Sequence, residues 1–359
     1  MTGRRGFLTG LLSASLFPVP SWADVGSPAL ITAAKTAQGA YVLVGLNADL
    51  EALFRLPLPS RGHAAAAHPS RPEAVAFARR PGTYALVLDC RNGDVLAQMQ
   101  APSERHFYGH GAFSGDGTRL FTSENDYEAG RGVIGVWDAT RDYARIGEFS
   151  SGGVGPHELA LMPDGQTLVV ANGGIDTHPD SGRAKLNIPE MRPNLSYFDL
   201  GGGSLETQEL PKEFRRNSIR HLDVRADGLV AFGMQWQGDT DRTPPLVGAH
   251  MRGQDIVVAG ENPVWRDMKG YVGSVSFSQN GQNIVVTSPR GGRVVQLGAS
   301  DLVLGLRRDQ ADVCGVAALG PHIVTTTGHG TLWRDDHMVA THRDLAFDNH
   351  LVAIDTGHL

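Results

Sequence analysis

The chain has 359 residues, a formal net charge of −6 at pH 7, 45 glycines and 20 prolines. So many turn-forming residues favour short strands over long helices, and a single closed β domain accommodates this length without a second domain. The negative charge and the lack of a basic stripe along the sequence argue against nucleic acid as a partner.

The first 23 residues are predicted to be a signal peptide. Arg4 and Arg5 precede Phe7-Leu8 and an apolar run from Leu11 to Val19, and Ser21-Trp22-Ala23 supplies a small-x-small cleavage site. The apolar run is too short to anchor the chain in a bilayer after cleavage. Twin arginines followed by Phe-Leu are typical of a Tat signal, with an ordinary Sec signal as the alternative. We therefore expect a periplasmic protein whose residues 24–359 form one domain.

Short apolar runs separated by tight turns recur from residue 30 onward. Three predicted strands lie between Leu30 and Leu58, before the first full repeat. Six repeats follow, which begin near His63, His110, His157, His221, Tyr271 and Cys314. Several contain Asp-Gly or Asn-Gly, the strongest short-range hairpin signal, and repeats of roughly 40–50 residues with several strands each are typical of propeller blades.

The final apolar segment, Leu345 to Ile354, is predicted to be an inner strand that joins the three N-terminal strands. A blade shared by both termini closes the ring and removes free sheet edges. The predicted fold is all-β, a seven-bladed β-propeller. The two cysteines, Cys90 and Cys314, fall in an outer and an inner part of their blades, so we expect no disulfide between them.

Histidine recurs at the beginning of the inner strands. Five of the fourteen histidines stand six or seven positions before a turn: His63, His110, His157, His221 and His342. A propeller places these strand starts around one axis, so we expect a ring of imidazoles at one mouth of the channel. Imidazole binds copper, zinc and iron. The alternatives are that each histidine hydrogen-bonds a neighbouring blade, or that the ring lines a pocket for an organic substrate. The other nine histidines, His350 among them, are assigned no role.

Other residues near these strand starts are candidates for a supporting or substrate-binding role. Glu158 and Asp223 could bind a metal ion alongside the histidines or orient the histidines that bind it. Arg220 could contact an anion at the mouth of the channel. Cys314 stands at the offset where other blades carry histidine, with a buried apolar role as its alternative. The insertion at residues 172–194 is long enough to cover one face of the disc, and long loops are often functional.

Several motifs resemble an exported bacterial propeller family of unknown function. They are the leader, Gly109 to Gly117, Glu124-Asn-Asp-Tyr, Gly155-Pro-His-Glu-Leu and Ser218-Ile-Arg-His-Leu-Asp. That family is associated with imelysin-like proteins of periplasmic iron uptake. The resemblance implies a role around iron or another metal, with imelysin-like proteins as possible partners, and supplies no catalytic residues.

Three functions are open at this point. The first is periplasmic metal binding or handling, with iron or copper favoured over zinc. The second is a scaffold in an uptake complex that docks through the 172–194 insertion. The third is a lactonase-like hydrolase in which a histidine with Glu158 or Asp223 activates water. The sequence has no Cys-x-x-Cys-His motif, so covalent haem is not expected.

Overall fold

A computed structural model describes residues 20–79, 82–182, 184–239, 241–242 and 244–354 of the chain. Residues 1–19, which make up most of the predicted leader, lie outside the described residues. The described part is nearly all β. Its helical segments are single short turns: Trp22–Val25, Pro179–Ser181, Ile188–Glu190 and Lys212–Phe214 are 3-10 turns, and Val264–Asp267 (α1) is one α-helical turn. None of the described helices has the length and apolar character that crossing a membrane requires.

The strands form seven four-stranded antiparallel sheets. The first three strands are β1 (Leu30–Thr36), β2 (Tyr41–Leu46) and β3 (Ala52–Leu58). The next two blades consist of β4 (Gly62–Ala67), β5 (Glu73–Ala78), β6 (Tyr84–Asp89) and β7 (Val95–Gln100), then β8 (Arg105–Phe113), β9 (Arg119–Asp126), β10 (Arg131–Asp138) and β11 (Ala144–Ser150).

The following two blades consist of β12 (Pro156–Leu161), β13 (Thr167–Asn172), β14 (Asn194–Asp199) and β15 (Ser204–Glu209), then β16 (Asn217–Val224), β17 (Val230–Trp236), β18 (Val247–His250) and β19 (Val257–Val258). The last full blades consist of β20 (Ser274–Phe277), β21 (Asn283–Ser288), β22 (Arg293–Gly298) and β23 (Leu304–Asp309), then β24 (Val313–Leu319), β25 (His322–Thr327), β26 (Thr331–Arg334) and β27 (His337–Thr341). The final strand is β28 (Leu345–Ala353).

Strand β28 closes the ring in the way that the sequence predicts. It pairs with β1, so the seventh sheet has the order β28-β1-β2-β3. The innermost strands β28, β4, β8, β12, β16, β20 and β24 each contact the next one around the axis. The fold is therefore a seven-bladed β-propeller, and the predicted closure by both termini is confirmed.

Local turn chemistry explains why the blades form where they do. Gly117, Gly165 and Gly228 have φ values of 69°, 66° and 94°, in the left-handed region that favours glycine. The preceding aspartate accepts a backbone hydrogen bond across the turn, as Asp116 does from Thr118 N (3.0 Å). Such Asp-Gly turns reverse the chain between the first two strands of a blade.

Apolar side chains fill the spaces between neighbouring blades. One cluster joins Phe77 of β5 to Phe107 of β8, whose ring centroids are 6.1 Å apart, with Trp137 beside them. Phe77 and Phe107 are fully buried, and burial of such a side chain stabilises the fold by roughly 1.5–3 kcal/mol. The core therefore lies between sheets and leaves the axis of the disc open for polar side chains.

Trp22 packs against the disc at the end of the predicted leader. Its side chain is 3% exposed, joins the core cluster of Ile31 and Leu43, and donates a hydrogen bond from Nε1 to His68 O (2.9 Å). Cleavage after Ala23, as the sequence predicts, would remove this contact from the mature chain. Cys90 and Cys314 are both buried and free, which confirms the expectation of no disulfide.

Candidate metal centre

Five imidazoles from five inner strands meet on the propeller axis. They form a closed circuit, in which consecutive ring centroids lie 4.6–4.9 Å apart. In order around the circuit the residues are His63, His110, His157, His221 and His350. We call this set the histidine cluster. Four of its members are those that the sequence predicts.

The fifth member corrects the sequence analysis, which chose His342 and gave His350 no role. His342 lies outside the cluster, where its Nε2 is 3.3 Å from Leu50 O and its ring packs against Phe347. It precedes β28, whereas His350 lies within that strand. The pair His350-Leu351 repeats the pair His221-Leu222, and this short likeness is the signal that could have identified His350.

β-Bulges aim the imidazoles at the axis. The pairing register shifts between Gly62 and Ala65 in β4, between Phe107 and Gly111 in β8, and between Pro156 and Glu158 in β12. Similar shifts occur at His221 in β16 and around His350 in β28. A bulge inserts an extra residue and redirects a side chain. Some of these histidines stand six residues before the following turn and others seven. In regular strands that difference would point their side chains to opposite faces of the sheet, and the bulges explain why the rings nevertheless share one direction.

Buried hydroxyl groups hold the bulged backbone in place. Ser123 on β9 donates to the carbonyl oxygens of both His110 (3.3 Å) and His157 (3.1 Å), and so links two neighbouring blades. Thr32 on β1 donates in the same way to His350 O (2.7 Å). At a bulge the strand pairing is interrupted, so some buried carbonyl groups lose their partner in the sheet. The hydroxyl groups supply the hydrogen bonds that these buried carbonyl groups need.

The cluster contains two groups of three histidines whose candidate ligand atoms lie within 4.8 Å of one another. One group is His63, His110 and His157, and the other is His110, His221 and His350. In four of the five rings one buried nitrogen has no hydrogen-bond partner among the described residues: His63 Nδ1, His110 Nε2, His157 Nδ1 and His350 Nε2. Buried polar atoms rarely remain unsatisfied, and each such atom calls for an explanation such as a bound ion or water.

Burial favours the neutral form of four of the five imidazoles. Burial, followed by repulsion from neighbouring histidines and arginines, lowers the pKa values of His63, His157 and His350 well below 6.5. Burial lowers the pKa of His221 as well, while its hydrogen bond to Glu158 opposes the shift. A neutral imidazole has a free lone pair, which is the form that binds a metal.

Glu158 supplies a carboxylate to the cluster. Its Oε2 lies 3.1 Å from His221 Nδ1 and accepts from Leu222 N (3.2 Å), and its Oε1 lies 3.6 Å from His110 Nδ1. Burial raises the pKa of Glu158, but the contacts with His110 and His221 outweigh it, so the net shift is downward. An ionised carboxylate bonded to a ring nitrogen fixes the orientation and tautomer of that ring, as in many metal centres.

The other three candidate residues lie outside the circuit of rings. Asp223 accepts from Phe277 N (2.7 Å) and Val224 N (2.8 Å), which ties β16 to β20, and burial raises its pKa to about 6. Cys314 is in a separate pocket beside Arg61 and Asp348, and burial raises its thiol pKa. Arg220 lines the same cavity as His157 and His221.

The histidine cluster separates two chambers of the channel. The upper cavity has a volume of about 450 Å³, and His63, His157 and His221 line it. The lower cavity has a volume of about 1000 Å³, and its lining includes His110, His350 and Glu158. Residues Ser21 to Ala23 border the lower cavity. A ligand in the upper cavity would therefore meet the cluster at three of its imidazoles, His63, His157 and His221.

The 172–194 insertion covers the upper cavity. Thr177, His178, Pro179, Gly182 and Lys185 belong to the lining. The end of β9 and the loop after it hold the insertion in place, because Asn125 Nδ2 donates to Thr177 O (2.9 Å) and Glu128 pairs with His178 Nε2 (3.0 Å). The sequence analysis also missed His106, a buried residue that lines this cavity.

Gly109 is the residue that lets the first two rings approach each other. It has a φ of 101°, and a Cβ at this position would lie 2.5 Å from Cδ2 of His63. We expect Gly109→Ala to displace the His63 ring and to weaken metal binding, besides costing about 1–3 kcal/mol of backbone strain. Metal titration together with thermal unfolding checks both effects.

Gly165→Ala is the matched control for this change. Gly165 also has a positive φ, of 66°, but a Cβ there meets nothing within 4 Å. It should cost similar strain and leave metal affinity unchanged. Equal metal affinity in Gly109→Ala and Gly165→Ala would contradict the assigned role of Gly109.

A family model described as "Protein of unknown function (DUF1513)" matches residues 56–354. The chain belongs to this family. The matched region contains all five members of the histidine cluster. A search of the curated proteins found no match.

The solved structures confirm the architecture. Hydrazine synthase from Kuenenia stuttgartiensis is similar to this chain with a TM-score of 0.64 and 14% sequence identity. The similarity covers 91% of this chain and 99% of that one. At this level of identity the likeness concerns the fold alone, since one fold hosts many functions.

Proposed function

We propose that this member of the DUF1513 family binds a transition-metal ion on the histidine cluster. The observation that carries the proposal is the closed circuit of five imidazoles, four of which hold a buried nitrogen without a hydrogen-bond partner among the described residues. Burial, and then repulsion between protonated rings, disfavours protonation of His63, His157 and His350 as a way to satisfy their nitrogens. A cation satisfies several lone pairs at once.

One ion per chain is the simplest occupancy, because His110 belongs to both three-histidine groups. Three imidazoles with a carboxylate nearby are ligands that iron, copper(II) and zinc all accept. We place iron first because the chain resembles propellers associated with periplasmic iron uptake, with copper(II) and then zinc as the alternatives. No cysteine joins the two groups among the described residues, which makes the soft copper(I) ion a poor match. Glu158 would orient His221 behind the metal.

We further propose that the protein works in the periplasm, in metal handling, with imelysin-like proteins as candidate partners. The twin arginines at Arg4 and Arg5 and the apolar run after them support export. The resemblance to propellers associated with periplasmic iron uptake supports the metal role. The position of the 172–194 insertion favours a binding cavity over a scaffold that merely docks, because part of the insertion lines the cavity above the cluster.

The metal content of the exported protein tests this proposal. The full chain should be recovered from the periplasmic fraction, purified without chelator and analysed for iron, copper and zinc together. We expect close to one equivalent of metal per chain, which dialysis against a chelator removes and iron or copper restores. Retention in the cytoplasm would contradict the proposed location. Failure of the purified protein to take up any of the three metals would contradict the proposed site.

A further inference from the structure

The upper cavity is positively charged, although the whole chain carries a formal charge of −6. Its lining includes four cationic side chains, Arg79, Lys185, Arg220 and Arg290, and no carboxylate among the residues that the structure describes. A concave site lined by one sign of charge raises the local concentration of oppositely charged ligands. The cavity is therefore electrostatically suited to an anion.

These cations are distributed from the base of the cavity to its rim. Arg79 and Arg220 are half-buried, whereas Lys185 and Arg290 are exposed. Arg79 lies 3.6 Å from Asp348, a carboxylate that also pairs with Arg61 (2.6 Å). The cavity therefore presents cationic side chains at both its base and its rim.

Contacts within the protein hold the rim cations in position. The Arg290 guanidinium lies 4.4 Å from the centroid of the Tyr271 ring, and the Tyr271 hydroxyl accepts from Asn349 Nδ2 (3.3 Å). Lys185 Nζ donates to the side chain of Gln237. Such fixed donors lose less conformational freedom on binding than mobile surface side chains do.

Size narrows the class of ligand. A volume of about 450 Å³ falls in the range of small-molecule sites and far exceeds what a single phosphate ion fills. Cations at both base and rim suit a ligand with negative charges at more than one end. Arginine recognises carboxylates through paired hydrogen bonds.

We propose that the upper cavity binds a small polycarboxylate, with Arg79 and Arg220 at its base and Lys185 and Arg290 at its rim. Its floor consists of three imidazoles of the cluster, His63, His157 and His221. The same anion would supply oxygen ligands to a metal on that floor, and this last step alone rests on the proposed function. The anion site itself needs no metal.

Calorimetric titration of the chelator-treated full chain with tricarballylate, a tricarboxylate that lacks the hydroxyl group of citrate, tests the inference. We expect saturable binding at a ratio of one to one, weakened by salt. Arg220→Gln and Arg290→Gln should each weaken it by about tenfold or more, since each removes a charge-assisted contact. Arg290 is exposed, so its replacement should leave folding intact.

Arg141→Gln is the control, because Arg141 is 69% exposed and pairs with Asp138 at the end of β10. It should bind tricarballylate as the unchanged protein does. Absence of tricarballylate binding would overturn the inference even if the protein binds metal. Equal affinity for inorganic phosphate, or equal affinity in Arg220→Gln, Arg290→Gln and Arg141→Gln, would also overturn it. Tricarballylate binding in a protein that takes up no metal would uphold the anion site and contradict the proposed function.

Discussion

Replacement of His110 by alanine should abolish stoichiometric metal binding. His110 is the one residue common to both three-histidine groups, so its loss leaves neither group complete. Removal of residues that merely support a ligand typically costs 10–100-fold in metal affinity, and we expect at least about a 100-fold loss here. Competition titration with a chelator of known affinity measures it.

His342→Ala is the matched control for this experiment. The sequence places His342 in the same predicted set, whereas the structure places it against Leu50 and Phe347, away from the cluster. This variant should bind metal as the unchanged protein does, while His350→Ala should weaken binding. Circular dichroism and thermal unfolding establish that each variant is folded. The reverse result, with loss in His342→Ala and none in His350→Ala, would contradict the assignment of the centre.

The metal-free protein should lose stability steeply as the pH falls below about 6.5. His63, His157 and His350 have folded-state pKa values well below 6.5. At a pH between those values and 6.5, these histidines are therefore protonated in the unfolded chain but not in the folded chain. The free energy of unfolding then decreases with falling pH by about 1.4 kcal/mol per pH unit for each such histidine, or roughly 4 kcal/mol for the three.

Asp223 acts in the opposite direction over part of this range. Its pKa is raised to about 6 from 3.8, so between these values the folded chain binds the extra proton and gains stability as the pH falls. This offsets about one of the histidines, and the net loss remains steep. Above pH 6.5 the three histidines are neutral in both states and contribute no slope.

Urea unfolding at a series of pH values measures this dependence. Since domains are typically stable by about 5–15 kcal/mol, one or two pH units of acidification should remove much of the stability. His157→Gln should reduce the slope by about 1.4 kcal/mol per pH unit. Saturating metal should raise the free energy of unfolding at pH 7. A free energy of unfolding that stays constant from pH 7 to pH 5 would show that the imidazoles are not held neutral.

Much of the candidate site is predictable from the sequence because inner strands repeat. His110 and His221 stand at the same offset before Asp-Gly turns, and the fold carries equal offsets to equal positions around the axis. An alignment on the turns does not identify His350, because β28 pairs with β1, from the opposite end of the chain. No hairpin turn connects β28 to its partner strand, whereas in the other blades such a turn follows the inner strand and shows its register.

Turn residues and apolar runs act locally and repeat, so the sequence predicts the propeller, its seven blades, their closure and four of the five clustered histidines. Three features are visible only in the folded chain: which histidine completes the circuit, how β-bulges turn all five rings toward the axis, and how the 172–194 insertion covers a cavity with cationic side chains. These features depend on register and on contacts between residues far apart in the chain, where a shift of one residue reverses a side chain.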